Sequence, residues 1–273
     1  KRFLLLLLIK LKAIILAAGE GKRLRPLTKN IPKGMVTIFG KSLLERQIEI
    51  FKQCGIDDIT IITGYCFDKI TFPNIQYFKN EKYETTNMVE TLFCAKEILN
   101  GSIIISYGDI VFEKKVLEQL INAKNDSCVV IDKNWYKYWN IRFQNPLDDA
   151  ESLIIDKNNY IKNIGQKVSD LNEIMGQYIG LMKFQNVGLD LLKGFYKKAK
   201  NESLKGNNIL NPKLAFEKSY ITDLLQALVI EGHKIKAIPI HGGWLELDTL
   251  HDYEIYNQLH AKNELQNFIS LDS

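Results

Sequence analysis

Residues 13–36, with the sequence A-I-I-L-A-A-G-E-G-K-R-L-R-P-L-T-K-N-I-P-K-G-M-V, decide the fold predicted for this chain. The apolar run 13–18 is short enough for one buried strand. The loop behind it contains Gly19 and Gly21, followed by four basic residues: Lys22, Arg23, Arg25 and Lys33. Glycines let backbone N–H groups approach phosphate oxygens, and basic side chains neutralise their charge. The stretch therefore predicts a polyphosphate site at the end of a buried strand.

Two common phosphate-binding motifs do not fit this loop. A G-x-G-x-x-G fingerprint would need a third glycine at position 24, where the chain has Leu24. It would also need an acidic residue at the end of the next strand, which closes with Thr63-Gly64. The string G-x-x-x-x-G-K-[ST] does not occur in the sequence. The loop therefore belongs to another class of phosphate site.

Composition is that of an ordinary globular protein. The 273 residues are 46% hydrophobic and 25% charged, which allows a sizeable core. Lys and Arg exceed Asp and Glu by 36 to 32, and this excess is spread along the chain, so no nucleic-acid partner is indicated. The four cysteines lie far apart in or beside apolar segments, which favours reduced thiols and a cytoplasmic protein.

The amino-terminal sequence K-R-F-L-L-L-L-L-I resembles the start of a signal peptide. Lys10 and Lys12 interrupt that apolar run, and cleavage after Ala18 would cut the glycine loop from its strand. We therefore expect residues 1–11 to be an extension or a tag, with a secreted or anchored protein as the alternative. No other run approaches the ~18–20 apolar residues that cross a bilayer, so no membrane partner is expected.

Strands alternate with helices in the first half of the chain, which predicts β-α-β units with parallel pairing. Ser42-Leu43-Leu44-Glu45 is a capping box that begins a helix, and a second helix is expected from Asn87 to about Leu99. Residues 135–139 are aromatic-rich and are expected to be irregular. Strand-like segments on both sides of residues 156–159 predict a β-hairpin. The pattern is typical of one α/β domain with a grafted substrate-binding portion.

The pattern L-A-A-G-x-G-K-R-L-x-P-L-T followed by P-K resembles the nucleotidyltransferase superfamily, the sugar-phosphate nucleotidyltransferase-like proteins. W-L-E-L-D-T-L-H-D, from Trp244 to Asp252, matches a second motif of that family, so the resemblance runs from about Lys12 to Asp252. It implies a Rossmann-like α/β fold: a mixed, mostly parallel sheet flanked by helices, with a smaller portion that contains a β-hairpin. The nucleotidyltransferase domain is expected at 12–262, with a nucleotide-binding half (12–132), an acceptor-binding half (133–262) and a tail (263–273).

By the same resemblance, nine residues bind the nucleotide: Leu16, Ala17, Ala18, Gly19, Glu20, Gly21, Lys22, Asn87 and Gly108. Arg23 and Lys33 are the expected catalytic residues, because charge gathers around the α-phosphorus in the transition state and fixed cations stabilise it. Lys22 departs from the family pattern, which often has Ser or Thr there, and this puts its role in doubt. Asn87 has a second interpretation as the cap of its helix.

Acidic residues occur at two strand ends. Asp109 follows a buried strand, and the crevice at such carboxyl ends binds ligands in open α/β sheets, although a turn-forming Asp is an alternative. Glu246 and Asp248 are two positions apart on an extended segment and so share one face. The resemblance implies that Asp109 and Asp248 hold Mg²⁺, a cation that prefers oxygen ligands, and that Asp252 caps the following helix.

Aromatic residues gather in the second half of the chain. We expect Trp135, Tyr178, Trp244 and Glu246 to bind the acceptor, since related phosphocholine enzymes enclose a quaternary ammonium in aromatic and acidic residues, where cation–π attraction holds it. The same aromatic residues have an alternative interpretation as core.

The motifs are most similar to those of small-substrate cytidylyltransferases. The resemblance implies transfer of CMP from CTP to a small anionic phosphorylated or phosphonate acceptor, with release of pyrophosphate, in capsule or surface-polysaccharide decoration. Phosphoglutamine, phosphocholine and aminoethylphosphonate are the expected acceptors, and a homodimer is a possible assembly. A sugar-1-phosphate uridylyl- or thymidylyltransferase is the alternative enzyme, and a regulatory module that binds nucleotide without turnover is the alternative class.

Overall fold

The computed structural model describes residues 11–271. The extension expected at residues 1–11 and its signal-peptide alternative fall outside the described residues, except for Leu11, which is the first residue of the first strand. Residues 272–273 also lie outside them.

The described residues form thirteen strands and seven α-helices. The strands are β1 (Leu11–Ala17), β2 (Thr37–Ile38), β3 (Lys41–Ser42), β4 (Asp58–Thr63), β5 (Gln76–Lys79), β6 (Ser102–Tyr107), β7 (Ile110–Phe112), β8 (Ser127–Asp132), β9 (Glu151–Ile155), β10 (Ile161–Lys167), β11 (Gln177–Gln185), β12 (Lys236–Ile240) and β13 (Trp244–Glu246). The helices are α1 (Leu43–Gln53), α2 (Met88–Phe93), α3 (Lys114–Asn122), α4 (Trp135–Arg142), α5 (Asn186–Ser203), α6 (Ile221–Ile230) and α7 (Leu250–Ala261). None of these helices is both long and apolar enough to span a membrane.

Seven strands form one sheet in the order β12-β8-β11-β6-β1-β4-β5. β1 lies inside the sheet and pairs in parallel with β4 and β6. β4 pairs in parallel with β5, and β12 pairs in parallel with β8. β11 is the exception, because it runs antiparallel to both β6 and β8. The predicted mixed, mostly parallel sheet flanked by helices is confirmed.

Residues 13–17 of β1 are all apolar and buried, because both faces of the sheet are covered there. Ala13, Ile15 and Ala17 point into a core shared with α1, α3, α4 and α7. Ile14 and Leu16 alternate with them and point into a second core shared with α2, α5 and α6. A strand covered on both sides has no solvent-facing positions, so its sequence is a continuous apolar run. The glycine loop therefore begins from a strand that is fixed on every side.

Helix α1 begins as predicted and secures two segments of the site. The Ser42 hydroxyl accepts a hydrogen bond from the backbone N–H of Glu45 at 3.2 Å, and the Glu45 carboxylate accepts one from Ser42 N–H at 3.3 Å. The Gln47 amide donates to the backbone carbonyls of Tyr107 and Ile110, at 2.9 and 2.7 Å. Since these carbonyls stand on both sides of residue 109, the helix fixes the end of β6.

The second half of the chain confirms one expectation and corrects another. β9 and β10 form the predicted antiparallel hairpin. The expectation of irregular chain at 135–139 is wrong, since these residues lie in α4. The buried residues of this helix are Trp135, Tyr138, Trp139 and Arg142. Their spacing of three, four and seven positions places them on one helical face, and the buried arginine among them hid that pattern.

Helix α2 is shorter than expected. It ends at Phe93, and residues 96–98 form a separate 3-10 turn instead of continuing the helix to Leu99. Cys94 closes the α-helix, with its backbone N–H bonded to the carbonyls of Glu90 and Thr91. The apolar pattern continues past this point, because Ala95 and Leu99 are also buried.

Candidate active site

A cavity of about 120 Å³ lies at the carboxyl ends of β1 and β6. Six of the nine residues expected at the nucleotide line it: Leu16, Ala17, Ala18, Gly19, Asn87 and Gly108. Lys33 and Asp109 line it as well. The other three expected residues lie outside the lining, where Glu20 forms ion pairs with Lys22, at 3.3 Å, and with Arg25. The structure thus brings the glycine loop together with Asn87, Gly108 and Asp109, which lie far from it in the sequence.

Glycine at position 108 is required by close packing of two strand ends. Its backbone N–H donates to the Leu16 carbonyl at 2.9 Å. A Cβ at this position would lie 2.8 Å from that carbonyl oxygen and 2.9 Å from the Ala17 Cβ. Gly21 has a different reason, since its φ of 67° lies in the left-handed region that side chains disfavour. Both glycines therefore shape the floor and the turn of this cavity.

Asn87 caps α2, and it also lines the cavity. Its side-chain oxygen accepts the Met88 N–H at 2.9 Å, which confirms the cap interpretation. Four neighbours that no sequence motif indicated line the same cavity: Tyr83, Thr86, Met88 and Thr91. In the sequence, their only signal was the polar stretch around the cap. In the structure, the Asn80 amide in this stretch donates to the hydroxyls of Thr86 and Thr91, at 2.8 and 2.9 Å.

Three carboxylates meet beside this cavity. Asp109 follows β6, and Glu246 ends β13, which pairs antiparallel with β7 so that Glu246 stands opposite Ile110. The Leu247 N–H donates to the Asp109 carbonyl at 2.9 Å, which brings Asp248 alongside. One oxygen atom from each of Asp109, Glu246 and Asp248 lies within 4.8 Å of the others. The two acidic segments predicted from the sequence are therefore one cluster.

The two expected catalytic cations contact this cluster. Lys33 Nζ lies 2.6 Å from Asp109 Oδ2 and also forms an ion pair with Asp248. Arg23 Nη2 lies 3.1 Å from Asp248 Oδ2. The side chains of Lys33, Asp109 and Asp248 are each only 12–15% exposed, so solvent screens these pairs weakly. The structure thus brings together all four residues expected to act on the phosphates.

Electrostatics make the carboxylates of this cluster unequal. Burial alone would raise the pKa of Asp248, but Lys33 and Arg23 outweigh it and hold that pKa low. Burial and the neighbouring Asp248 charge raise the pKa of Glu246 above the usual range, although Arg142 opposes the shift. Burial would lower the pKa of Lys33, and Asp109 and Asp248 reverse that effect and raise it. Asp248 is therefore held in its charged form more firmly than Glu246.

Arg142 is a component of the site that the sequence analysis missed. Its Nη1 lies 2.9 Å from Glu246 Oε2, and its Nε lies 2.9 Å from Asp252 Oδ1. Asp252 also forms a capping box with Thr249 at the start of α7, which confirms the cap predicted for it. The spacing of buried residues on α4 was the only signal that could have identified this arginine.

The cluster fits a hard divalent cation. Its three oxygen ligands converge, and Asp109 Oδ1 is buried without a hydrogen-bond partner among the described residues. A buried carboxylate oxygen is rarely left unpaired, because the loss of its water hydrogen bonds is unfavourable. Carboxylate oxygens are also the ligands that Mg²⁺ prefers.

A second cavity of about 220 Å³ adjoins the first and shares Met88 and Asp109 with it. Tyr178 and Glu246, two of the residues expected at the acceptor, line this cavity.

Trp135 and Trp244 lie in the core instead, so their expected contact with an acceptor is corrected. Trp135 is 6% exposed and packs edge-on against Trp139, and Trp244 is 2% exposed. The Trp244 indole donates to Asp132 Oδ2 at 3.0 Å, so its polar atom is satisfied inside the protein. Trp139 is the tryptophan that lines the second cavity.

Asp149 and Glu151 also line the second cavity and were missed. Desolvation, with Asp149 and Asp223 nearby, raises the pKa of Glu151 to about 7. Burial and, to a lesser extent, the nearby Glu151 charge raise the pKa of Tyr107 on β6 and of Tyr178 on β11. The sequence P-L-D-D at 146–149 is typical of an ordinary turn, and Pro146–Asp148 does form a 3-10 turn. The turn places these carboxylates at the cavity, which local sequence does not reveal.

A mostly parallel sheet with a glycine loop, two cations and an acidic cluster at its carboxyl ends defines an α/β protein built to bind an anionic nucleotide. Residues 13–232 match the MobA-like NTP transferase domain, and the chain belongs to this family. The resemblance indicated by the sequence motifs is thereby confirmed.

The relatives include cytidylyltransferases. The chain is 41% identical to CTP:phosphoglutamine cytidylyltransferase of Campylobacter jejuni over 256 residues, which cover 90% of this chain and 98% of that protein. It is 42% identical to choline-phosphate cytidylyltransferase of Streptococcus pneumoniae over 117 residues, or 41% of this chain and 51% of the relative. Among solved structures, the CTP:phosphocholine cytidylyltransferase of Streptococcus pneumoniae superposes with a TM-score of 0.68 at 22% identity, over 92% of this chain and all of that one. This likeness supports the fold.

Proposed function

We propose that this protein is a cytidylyltransferase that transfers CMP from CTP to a small phosphorylated or phosphonate acceptor and releases pyrophosphate. The contact between the two cavities carries the proposal: they meet at Asp109, beside Lys33 and Asp248. Identity to CTP:phosphoglutamine cytidylyltransferase over 98% of that protein's length supports CTP as the nucleotide. Capsule or surface-polysaccharide decoration is the setting we propose.

The proposed reaction needs no general base. An acceptor phosphate oxygen, already anionic, attacks the α-phosphorus of CTP. The new oxygen–phosphorus bond forms as the bond to the β-phosphate oxygen breaks, and pyrophosphate leaves with that electron pair. Arg23 and Lys33 stabilise the charge that gathers on the phosphoryl oxygens.

We propose Asp109 and Asp248 as the ligands of Mg²⁺. When bound, this cation would offset the repulsion between the nucleotide and acceptor phosphates. Asp248 suits the role because Lys33 and Arg23 keep its pKa low. Asp109 suits it because its Oδ1 has no hydrogen-bond partner among the described residues.

The second cavity favours an acceptor that carries a positive charge besides its phosphate. Five carboxylates of the described chain line it, against the single guanidinium of Arg23: Asp109, Asp149, Glu151, Glu246 and Asp248. Asp149 and Glu151 form no ion pair with a basic side chain within residues 11–271. A cationic group of the acceptor would supply the missing partner, and Tyr178 offers it an aromatic face.

A substrate matrix tests the proposal. CTP, UTP, dTTP and ATP are each combined with phosphoglutamine, phosphocholine, aminoethylphosphonate and glucose 1-phosphate, and magnesium-dependent pyrophosphate release is measured. We expect release with CTP and a cationic acceptor. Turnover only with UTP or dTTP and the sugar phosphate would refute the proposal in favour of a sugar-1-phosphate enzyme.

A further inference from the structure

Arg142 is enclosed behind the acidic cluster. None of its side chain is exposed, and it is absent from the lining of both cavities. Its guanidinium carbon lies 5.2 Å from the ring centre of Tyr138 and 5.3 Å from that of Trp139. These aromatic rings restrict the guanidinium to one position, so any effect on the reaction passes through the groups that it contacts.

Three carboxylates lie within ion-pair distance of this guanidinium: it forms hydrogen bonds with Glu246 and Asp252, and its Nη2 lies 3.9 Å from Asp248 Oδ2. Nη1 binds Glu246 Oε2 at 2.9 Å, while Nε and Nη2 bind the two oxygens of Asp252 at 2.9 and 3.2 Å. A planar guanidinium presents its donors in a fixed fork and can hold two carboxylates at once, whereas a lysine ammonium is a single point.

Asp252 transmits this contact to Asp248. Its Oδ2 accepts hydrogen bonds from the backbone N–H groups of Asp248 and Thr249, at 2.9 and 2.8 Å. The same helix that carries Arg142 also holds the backbone of Glu246, since Glu246 N–H donates to the Tyr138 hydroxyl at 2.8 Å. The segment that supplies two acids of the cluster is therefore fixed from α4.

We propose that Arg142 is a positioning residue for the cation site: through Glu246 and Asp252 it holds the 246–248 segment so that its carboxylates converge with Asp109. The inference rests on the proposed metal site. Groups that orient metal ligands typically contribute about 10–100-fold to metal affinity or activity. Arg142 has this function without contacting the substrate.

Binding of Mn²⁺ alone, measured by electron paramagnetic resonance, tests the proposal without turnover. Arg142→Lys keeps the charge but cannot hold both carboxylates, and we expect about 10–100-fold weaker Mn²⁺ binding. Arg46→Lys is the matched control: Arg46 donates to the Ile38 and Phe39 carbonyls, away from the cluster, and Mn²⁺ affinity should not change. Wild-type affinity in a folded Arg142→Lys would overturn the proposal.

A double variant separates positioning from folding. Arg142→Met with Asp252→Asn removes one charge of each sign, so the net charge of the cluster is preserved and no buried charge of this pair is left alone. Glu246 loses its ion pair with Arg142, so we expect Tm to fall, but less than in Arg142→Met alone, and Mn²⁺ binding to be weakened at least tenfold. Wild-type affinity in this variant would overturn the proposal even if Arg142→Lys did not fold. Absence of Mn²⁺ binding by the wild-type protein would instead refute the metal site itself, and this inference with it.

Discussion

Lys33→Ala should destabilise the protein in a way that a divalent cation reverses. Lys33 Nζ neutralises Asp109 and Asp248, whose oxygens lie within 4.8 Å of each other. Without the ammonium group, two weakly solvated like charges at this distance repel by about 3 kcal/mol at an effective dielectric constant of about 20. For a chain of this size that corresponds to roughly 6–12 °C in Tm.

Differential scanning fluorimetry, first with a chelator and then with Mg²⁺, measures both parts of this prediction. The variant should melt lower than the wild type in chelator, and Mg²⁺ should raise its Tm more than that of the wild type, because the cation replaces the lost positive charge. Lys41→Ala is the matched control: Lys41 pairs at 2.7 Å with Glu49 on the surface, where such pairs contribute little.

Turnover gives an independent readout of the same variant. Pyrophosphate release should fall by about 10²–10³-fold even at saturating Mg²⁺, because the cation restores stability but not the ammonium group that faces the phosphates. An unchanged Tm in chelator, or equal Mg²⁺ responses of the two proteins, would refute the electrostatic reasoning. Wild-type-like turnover would remove Lys33 from the mechanism.

Three further predictions follow from other parts of the site. Asp109→Asn should lower pyrophosphate release by at least about 10²-fold with little change in Tm, and wild-type-like turnover would exclude Asp109 from the mechanism. Gly108→Ala should lower stability by about 1–3 kcal/mol and raise KM for CTP, because its Cβ would lie 2.8 Å from the Leu16 carbonyl oxygen; unchanged melting would contradict this packing argument. Protonation of Glu151 below its pKa of about 7 removes a negative charge from the second cavity, so KM for a cationic acceptor should rise as pH falls, by up to about tenfold per unit. Glu151→Gln should abolish that dependence, and a flat wild-type profile would argue against Glu151 as the cation's partner.

The nucleotide side of the site was predictable because its signals are local in sequence. Within a short stretch, the sequence shows a buried strand, the glycines of the loop that follows it and the basic residues of that loop. Ser42 and Glu45, three positions apart, mark the start of α1. Asp109 and Asp248 could be paired in advance only through the family motif. Their proximity depends on the antiparallel pairing of β7 with β13, and no local pattern encodes that contact.

The acceptor side was less predictable because side-chain chemistry there depends on tertiary burial. Trp135 and Trp244 have the aromatic faces that a cation site needs, yet both lie in the core. Asp149 has the local sequence of a turn and Glu151 begins β9, yet both line the second cavity. Sequence identifies which groups are available, whereas the packing of distant elements determines which of them reach a ligand.

Glu246 and Asp248 illustrate that distinction within one motif. Alternation along W-L-E-L-D places both carboxylates on one face and does not by itself distinguish them. In the structure Lys33 and Arg23 lie against Asp248 and lower its pKa. Burial and the neighbouring Asp248 charge raise the pKa of Glu246, although Arg142 forms an ion pair with it. The cations come from three separate segments, at 23, 33 and 142. A short acidic motif therefore supplies a pair of carboxylates, and the surrounding fold gives each a different environment.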